Sequence, residues 1–209
     1  MSDAPILRRP AGMASIRQLH DFDALIDTRS PAEFALDHVP GAINCPALDD
    51  AQRAEIGTLY KQVSPFVAKR RGAALVALNI GRHLLETFHD KGPGWRPLIY
   101  CWRGGKRSGA FVTVLRQIGW DAHQLEGGYK RYRRDVLDRL AAAPAQLDFR
   151  VLSGPTGSAK SRVLERLAAR GEQVLDLEAL AAHKGSVLGR QPGQPQPPQR
   201  WFESQLHAV

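Results

Sequence analysis

Cysteine and methionine are scarce in this chain of 209 residues, with two of each. The two cysteines stand in unlike contexts, Cys45 between Asn44 and Pro46 and Cys101 after an apolar run, so no disulfide framework is expected and both are read as thiols of a reducing compartment. Long apolar stretches are also missing: segments such as GAALVALNI fall far short of the roughly 20 residues a bilayer span requires. No apolar core follows the arginines near the N-terminus, so neither a secretory leader nor a membrane partner is expected, and the location expected is cytoplasmic. Acidic residues are in deficit, 21 against 29 Lys and Arg, for a formal charge of +8. That surplus suits RNA or a phosphorylated small molecule as partner, and equally a merely soluble basic surface.

What is present is an alternation of strands and helices. FDALIDTRSPAEFALDHVPGAINCP predicts a short buried strand ending near Asp27, a helix capped by Ser30 with Pro31 at its first position, and a strand around 42–45. Residues 49–91 read as helical with a loose interruption, and KGPGW as the stop. Then come the strand PLIYC, a glycine-rich loop, a helix from about Arg107 to Ile118, the strand AHQLE, a Gly127-Gly128 turn and a basic helix beginning YKRYRRD. Pro144 and the small residues around it predict a boundary, giving domains 1–143 and 144–209. In the second, FRVLSG and QVLDL predict strands on either side of a helix, with Asp176 and Glu178 at the end of the latter. The Pro/Gln-rich tail predicts irregular, poorly ordered chain.

The chemistry concentrates in CWRGGKRS. A strand delivers Cys101 to the carboxyl edge of a parallel sheet, and the next helix turns its free amides toward the loop. Gly104 and Gly105 let successive N–H groups converge, while Arg103, Lys106 and Arg107 add positive charge and Trp102 completes the loop, a setting for an oxyanion. An ordinary thiol with a pKa of about 8.5 needs a shift of roughly two units, about 2.7 kcal/mol, to be mostly thiolate at neutrality. A helix end supplies about 0.3 to 1 kcal/mol, so amides and a nearby Arg are expected to supply the rest. Cys101 is thus the candidate nucleophile and Cys45 is not.

IDTRSPAEFALDHVPGAIN, the cysteine loop and LEGGYKRY together resemble a rhodanese domain over residues 20 to 135, whose members carry sulfur on such a cysteine as a persulfide. Five residues rather than four separate Cys101 from Arg107, and Cys-x5-Arg-Ser also matches cysteine-dependent phosphatases, some of rhodanese fold, and arsenate reductases. The loop alone leaves open phosphate ester hydrolysis or capture of sulfur or selenium from a phosphorylated donor.

Farther on, GPTGSAKS resembles a Walker A phosphate loop with Ala159 where a glycine is expected. If that position demands a left-handed backbone, the β-carbon costs on the order of 1 kcal/mol or more. Rhodanese domain followed by phosphate loop resembles the bacterial tRNA 2-selenouridine synthases, as do GAINCPALDDAQRAEIGTLYKQ, DLEALAAHKGSVLG and QPPQRWFESQL.

The resemblance implies an α/β fold: a rhodanese-like domain with a central parallel sheet flanked by helices, then an incomplete P-loop segment. It implies a transferase that replaces sulfur of the wobble 2-thiouridine by selenium from selenophosphate, through an intermediate geranylated by geranyl diphosphate. Cys101 would handle selenium, the loop from Trp102 to Arg107 would cradle selenophosphate, and Gly154, Thr156, Gly157, Ser158, Ala159, Lys160 and Ser161 would hold diphosphate. No resident cofactor or protein-held metal is expected, and Lys160 and Ser161 are available to meet the outer phosphates and any magnesium at the phosphate loop. Lys130, Arg131, Arg133 and Arg134 are expected to meet tRNA phosphates, with Tyr129 and Tyr132 either stacking on bases or packing inward. The family continues well past FESQL, so a fragment is one expectation and a noncatalytic tRNA-binding module another.

Overall fold

The computed structural model describes residues 12–155, 157–184, 189 and 193–209. Five short strands form one fully parallel sheet in the order β1-β5-β4-β2-β3. They are β1 (Met13–Ala14), β2 (Ala24–Asp27), β3 (Ile43–Asn44), β4 (Pro97–Tyr100) and β5 (His123–Leu125). Four of the five stand where the apolar runs predict; β1, two residues long, is too short to carry a pattern. β4 is buried along its whole length, as a central parallel strand covered on both faces must be.

The first three helices begin beside side chains that accept from nearby backbone amides. In α1 (Pro31–Leu36) Glu33 accepts from the Ser30 N–H, and in α2 (Asp50–Gln62) Asp49 accepts from Gln52 N–H at 2.7 Å. The segment expected as one loosely interrupted helix is two, because Ser64 and Pro65 cap and open α3 (Pro65–Glu86). α4 (Lys106–Ile118) leads out of the cysteine loop, and α5 (Gly128–Ala142) out of the glycine pair.

The core joins Ile26, Ile80, Phe88, Ile99, Phe111, Leu115 and both Trp95 and Trp120, whose rings meet edge to face at 5.1 Å. Below the sheet's carboxyl edge lies a buried ion pair. Arg29, 1% exposed, is bidentate on Asp27, with its shortest contact 2.6 Å, and donates to the Asp37 carbonyl at 2.7 Å.

The chain divides into two compact units between Asp135 and Val136, within α5. In the second unit the described residues contain α6 (Lys160–Ala168), α7 (Leu177–Leu180) and α8 (Gln199–Ala208). The strands expected from FRVLSG and QVLDL do not form, and Val151 is 86% exposed. A parallel strand exists only in a ladder, and neither segment pairs with another strand among the described residues. The tail also departs from expectation: after the Pro-rich stretch its last residues fold as α8, where Phe202 and Leu206 lie four apart and Gln199 Nε2 donates to Glu203 Oε1 at 2.9 Å. Among the described residues no helix is long and apolar enough to cross a membrane.

Candidate active site

Cys101 follows β4 directly, and its Sγ turns back under the loop. The sulfur accepts from Gly105 N–H at 3.2 Å and from Ser108 Oγ–H at 3.1 Å. It lies in the floor of an open cavity of about 270 Å3 lined by Cys101, Trp102, Arg103, Gly105, Lys106 and Arg107. All the residues that the sequence assigns to this loop are therefore assembled, apart from Gly104, whose part is in the backbone. Gly104 holds a φ of 64°, and a β-carbon there would stand 2.7 Å from the Leu125 carbonyl oxygen.

Burial raises the Cys101 pKa, but the Ser108 hydroxyl and the N–H groups of Ser108, Gly105 and Arg103 overcome it and hold the thiol below the ordinary cysteine value. The expected contribution of a nearby arginine is corrected here. Arg107 lines the cavity, yet its Nη1 is bound to Glu33 Oε2 at 3.0 Å, and Arg53 adds a second contact to Glu33 at 3.4 Å. The Arg107 guanidinium faces Glu33 rather than the sulfur, and the thiol is lowered by the Ser108 hydroxyl and the oriented amides, with no arginine among the causes. Burial presses the Glu33 pKa upward, but its bonds to Arg107 and Ser30 N–H hold it below the ordinary carboxylate value.

Cys45 is fully buried and has no such donors among the described residues; burial, helped by the Asp27 charge, pushes its pKa up to about 12. Iodoacetamide at neutral pH is expected to label Cys101 alone, read by peptide mass spectrometry. Because the Cys101 pKa is lowered, its rate should rise with pH through a midpoint below that of a free cysteine. Comparable labelling of Cys45 would contradict the assignment.

Behind the loop, α5 serves as its template. Tyr129 N–H donates to the Cys101 carbonyl and Lys130 N–H to that of Trp102, each at 2.9 Å. Tyr129 and Tyr132 are each 2% exposed, so the reading in which they stack on bases is overturned and the inward-packed one holds. Burial and the hydrogen bond to Asp37 raise the Tyr129 pKa well above the ordinary phenol value. Lys130, Arg131 and Arg134 are exposed, whereas the Arg133 guanidinium, 13% exposed, lies 4.0 Å from the buried Asp37 carboxylate.

In the second unit, Ala159 does adopt the left-handed backbone a glycine would favour, with φ 61°. Lys160, at the start of α6, donates its ammonium to the carbonyls of Gly154 and Pro155 at 2.8 and 3.0 Å. Gly154, Gly157, Ser158 and Ser161 surround that turn in sequence, and Thr156 lies outside the described residues. A helix start crossed by a lysine suits a phosphate group. Magnesium fits less well. Asp176, the acidic residue expected at a strand end, instead caps α7 by accepting from Ala179 N–H at 2.9 Å, and no three His, Cys, Asp or Glu converge among the described residues.

Residues 14–135 match the model of the Rhodanese-like domain. The chain belongs to the rhodanese-like family. A second model, described as the tRNA 2-selenouridine synthase AAA domain, matches residues 147–209. Over 185 residues this rhodanese-like chain is 39% identical to the tRNA 2-selenouridine synthase of Nitrosomonas europaea, covering 87% of itself and 47% of that protein. Against that of Alcanivorax borkumensis it is 40% identical over 186 residues, with shares of 87% and 49%. The resemblance stated from sequence thus holds, and the chain spans about half the length of the curated relatives it matches. A solved N-terminal domain from Clostridium difficile 630 superposes with a TM-score of 0.51 at 34% identity, covering 60% of this chain and 98% of that one.

Sequence reading passes over three residues of the rhodanese-like site. Ser108 stands in the quoted motif without a role, while Glu33 and Gln124 come from distant segments and carry no local signal.

Proposed function

We propose that this chain takes part, as a transferase, in replacing sulfur by selenium on the wobble 2-thiouridine of tRNA, with Cys101 drawing selenium from selenophosphate. The observation that carries this reading is the Cys101 sulfur, held by two donors in the floor of a cavity lined by Arg103, Lys106 and Arg107. The two family models matched in order, rhodanese-like and then the synthase AAA domain, support selenium over a general phosphate ester.

Selenophosphate already carries selenium at the selenide level, so a sulfur–selenium adduct on Cys101 would require an oxidant. The balanced route is attack of the thiolate on phosphorus: an S–P bond forms, the P–Se bond breaks, and selenide leaves with the electron pair. Selenide then adds at C2 of an S-geranylated 2-thiouridine, and the C2–S bond breaks with geranylthiolate departing. Water hydrolyses the phosphocysteine to phosphate and thiolate. In the preceding step the 2-thio sulfur attacks C1 of geranyl diphosphate and diphosphate leaves, held by the loop from Gly154 to Ser161. Exposed Lys130, Arg131 and Arg134 supply contacts to tRNA phosphates, which makes binding salt-dependent.

The test is intact-mass analysis of the chain mixed with selenophosphate. A phosphoryl adduct on Cys101 and selenide release above the buffer blank are expected, both absent in Cys101→Ser. Rapid turnover of an aryl phosphate would favour the phosphatase reading of the same loop. Salt-sensitive tRNA binding with Cys101 unmodified would leave a noncatalytic RNA-binding module.

A further inference from the structure

Gln124 lies on β5, beside Ile99 in the adjacent strand, two residues before Cys101. Its Nε2 is 3.0 Å from the Gly105 carbonyl oxygen and 2.9 Å from Ser108 Oγ. A carbonyl oxygen can only accept, so the end of the amide facing Gly105 must be the NH2 group. That orientation sends the second amide hydrogen to Ser108 Oγ, which becomes an acceptor toward Gln124.

Ser108 then has one proton and two places for it, Cys101 Sγ at 3.1 Å and the Gly105 carbonyl at 3.3 Å. The carbonyl is already filled: Gly109 N–H donates to it at 3.0 Å and Gln124 takes its other lone pair. We propose that Gln124 is a positioning residue, whose amide, locked by the Gly105 carbonyl, makes the Ser108 hydroxyl a one-way donor to the Cys101 sulfur. Ser108 is fully buried, so no water competes for its proton. The device favours whichever state places negative charge on sulfur: the thiolate before attack and the departing thiolate afterwards.

This inference rests on Cys101 being the reactive sulfur, but it is tested without selenophosphate or tRNA. The experiment is the pH profile of Cys101 alkylation by iodoacetamide in the full chain, followed by peptide mass spectrometry. Ser108→Ala should raise the midpoint by about one to two units, the worth of one hydrogen bond to a charged group. Gln124→Glu should raise it by about one unit, because the carboxylate accepts the Ser108 proton and adds repulsion.

The deciding comparison is Gln124→Glu within Ser108→Ala, where repulsion persists but no hydroxyl remains to turn. A clearly smaller rise there than in the parent supports the relay; an equal rise in both backgrounds overturns it. Gln124→Met carries the same cycle without charge and covers a failure of Gln124→Glu to fold. It should raise the midpoint in the parent, by less, and leave it unmoved in Ser108→Ala. No shift from Gln124→Met in the parent also overturns the proposal. The charged side chains sharing the cavity with Cys101 are Arg103, Lys106 and the Glu33-bound Arg107, and no variant alters them.

Discussion

Gly128→Ala is expected to destroy the cysteine site while changing no side chain in it. A β-carbon at Gly128 would stand 2.3 Å from the Cys101 carbonyl oxygen and 2.5 Å from Gly104 N, on a residue whose φ is 57°. Both neighbours are backbone, so no rotamer relieves the contact; the loop must retreat by at least about 0.7 Å. Left-handed strain adds about 1 to 2 kcal/mol to an overpacking cost of about 1 to 3. The moved carbonyl also loses the Tyr129 N–H, and the sulfur loses its alignment with Gly105 N–H and Ser108. The expected result is a fall in stability of about 3 kcal/mol and a Cys101 alkylation midpoint back in the range of a free cysteine. Gly105→Ala is the control, since a β-carbon there meets nothing within 4 Å. Should Gly128→Ala melt with the parent and keep the low midpoint, the glycine pair is not the template of the loop.

The contrast between those two glycines shows where sequence reading reaches and where it stops. Chain-local features are legible: the buried run of β4, the cap at Ser30, the stop at KGPGW and the Cys-x5-Arg-Ser loop each declare themselves within a dozen residues. What strand register brings in is not. Gln124 reaches Ser108 because β5 pairs with β4 so that it sits opposite Ile99, and Glu33 reaches Arg107 across 74 residues. Neither pairing leaves a trace in the local pattern. The error about the arginine has the same origin, since a count of cations near a cysteine is blind to the carboxylate that claims one of them. In the second unit the failure is of another kind. VLSG and QVLDL have strand composition, but composition becomes a strand only when a ladder receives it.

Arg29→Met should be the most destabilising change remote from the cavity. Arg29 is 1% exposed and Asp27 is fully buried, so removing the guanidinium leaves a carboxylate beneath the sheet edge without its ion-pair partner, though still with the Arg29 backbone N–H, and takes a donor from the Asp37 carbonyl. Breaking a buried pair from one side costs about 3 to 5 kcal/mol, most of it the penalty on the partner left behind. Urea unfolding should show a lower midpoint at unchanged slope. Removing both partners, as Asp27→Leu with Arg29→Met, should cost markedly less than the sum of the single changes. The effect also reaches the site, because the Arg29 guanidinium lies over the Tyr129 ring at 3.8 Å and Tyr129 N–H holds the Cys101 carbonyl. Arg29→Met should therefore slow Cys101 alkylation even below its unfolding transition, whereas a stability loss with an unchanged alkylation profile would confine Arg29 to the core.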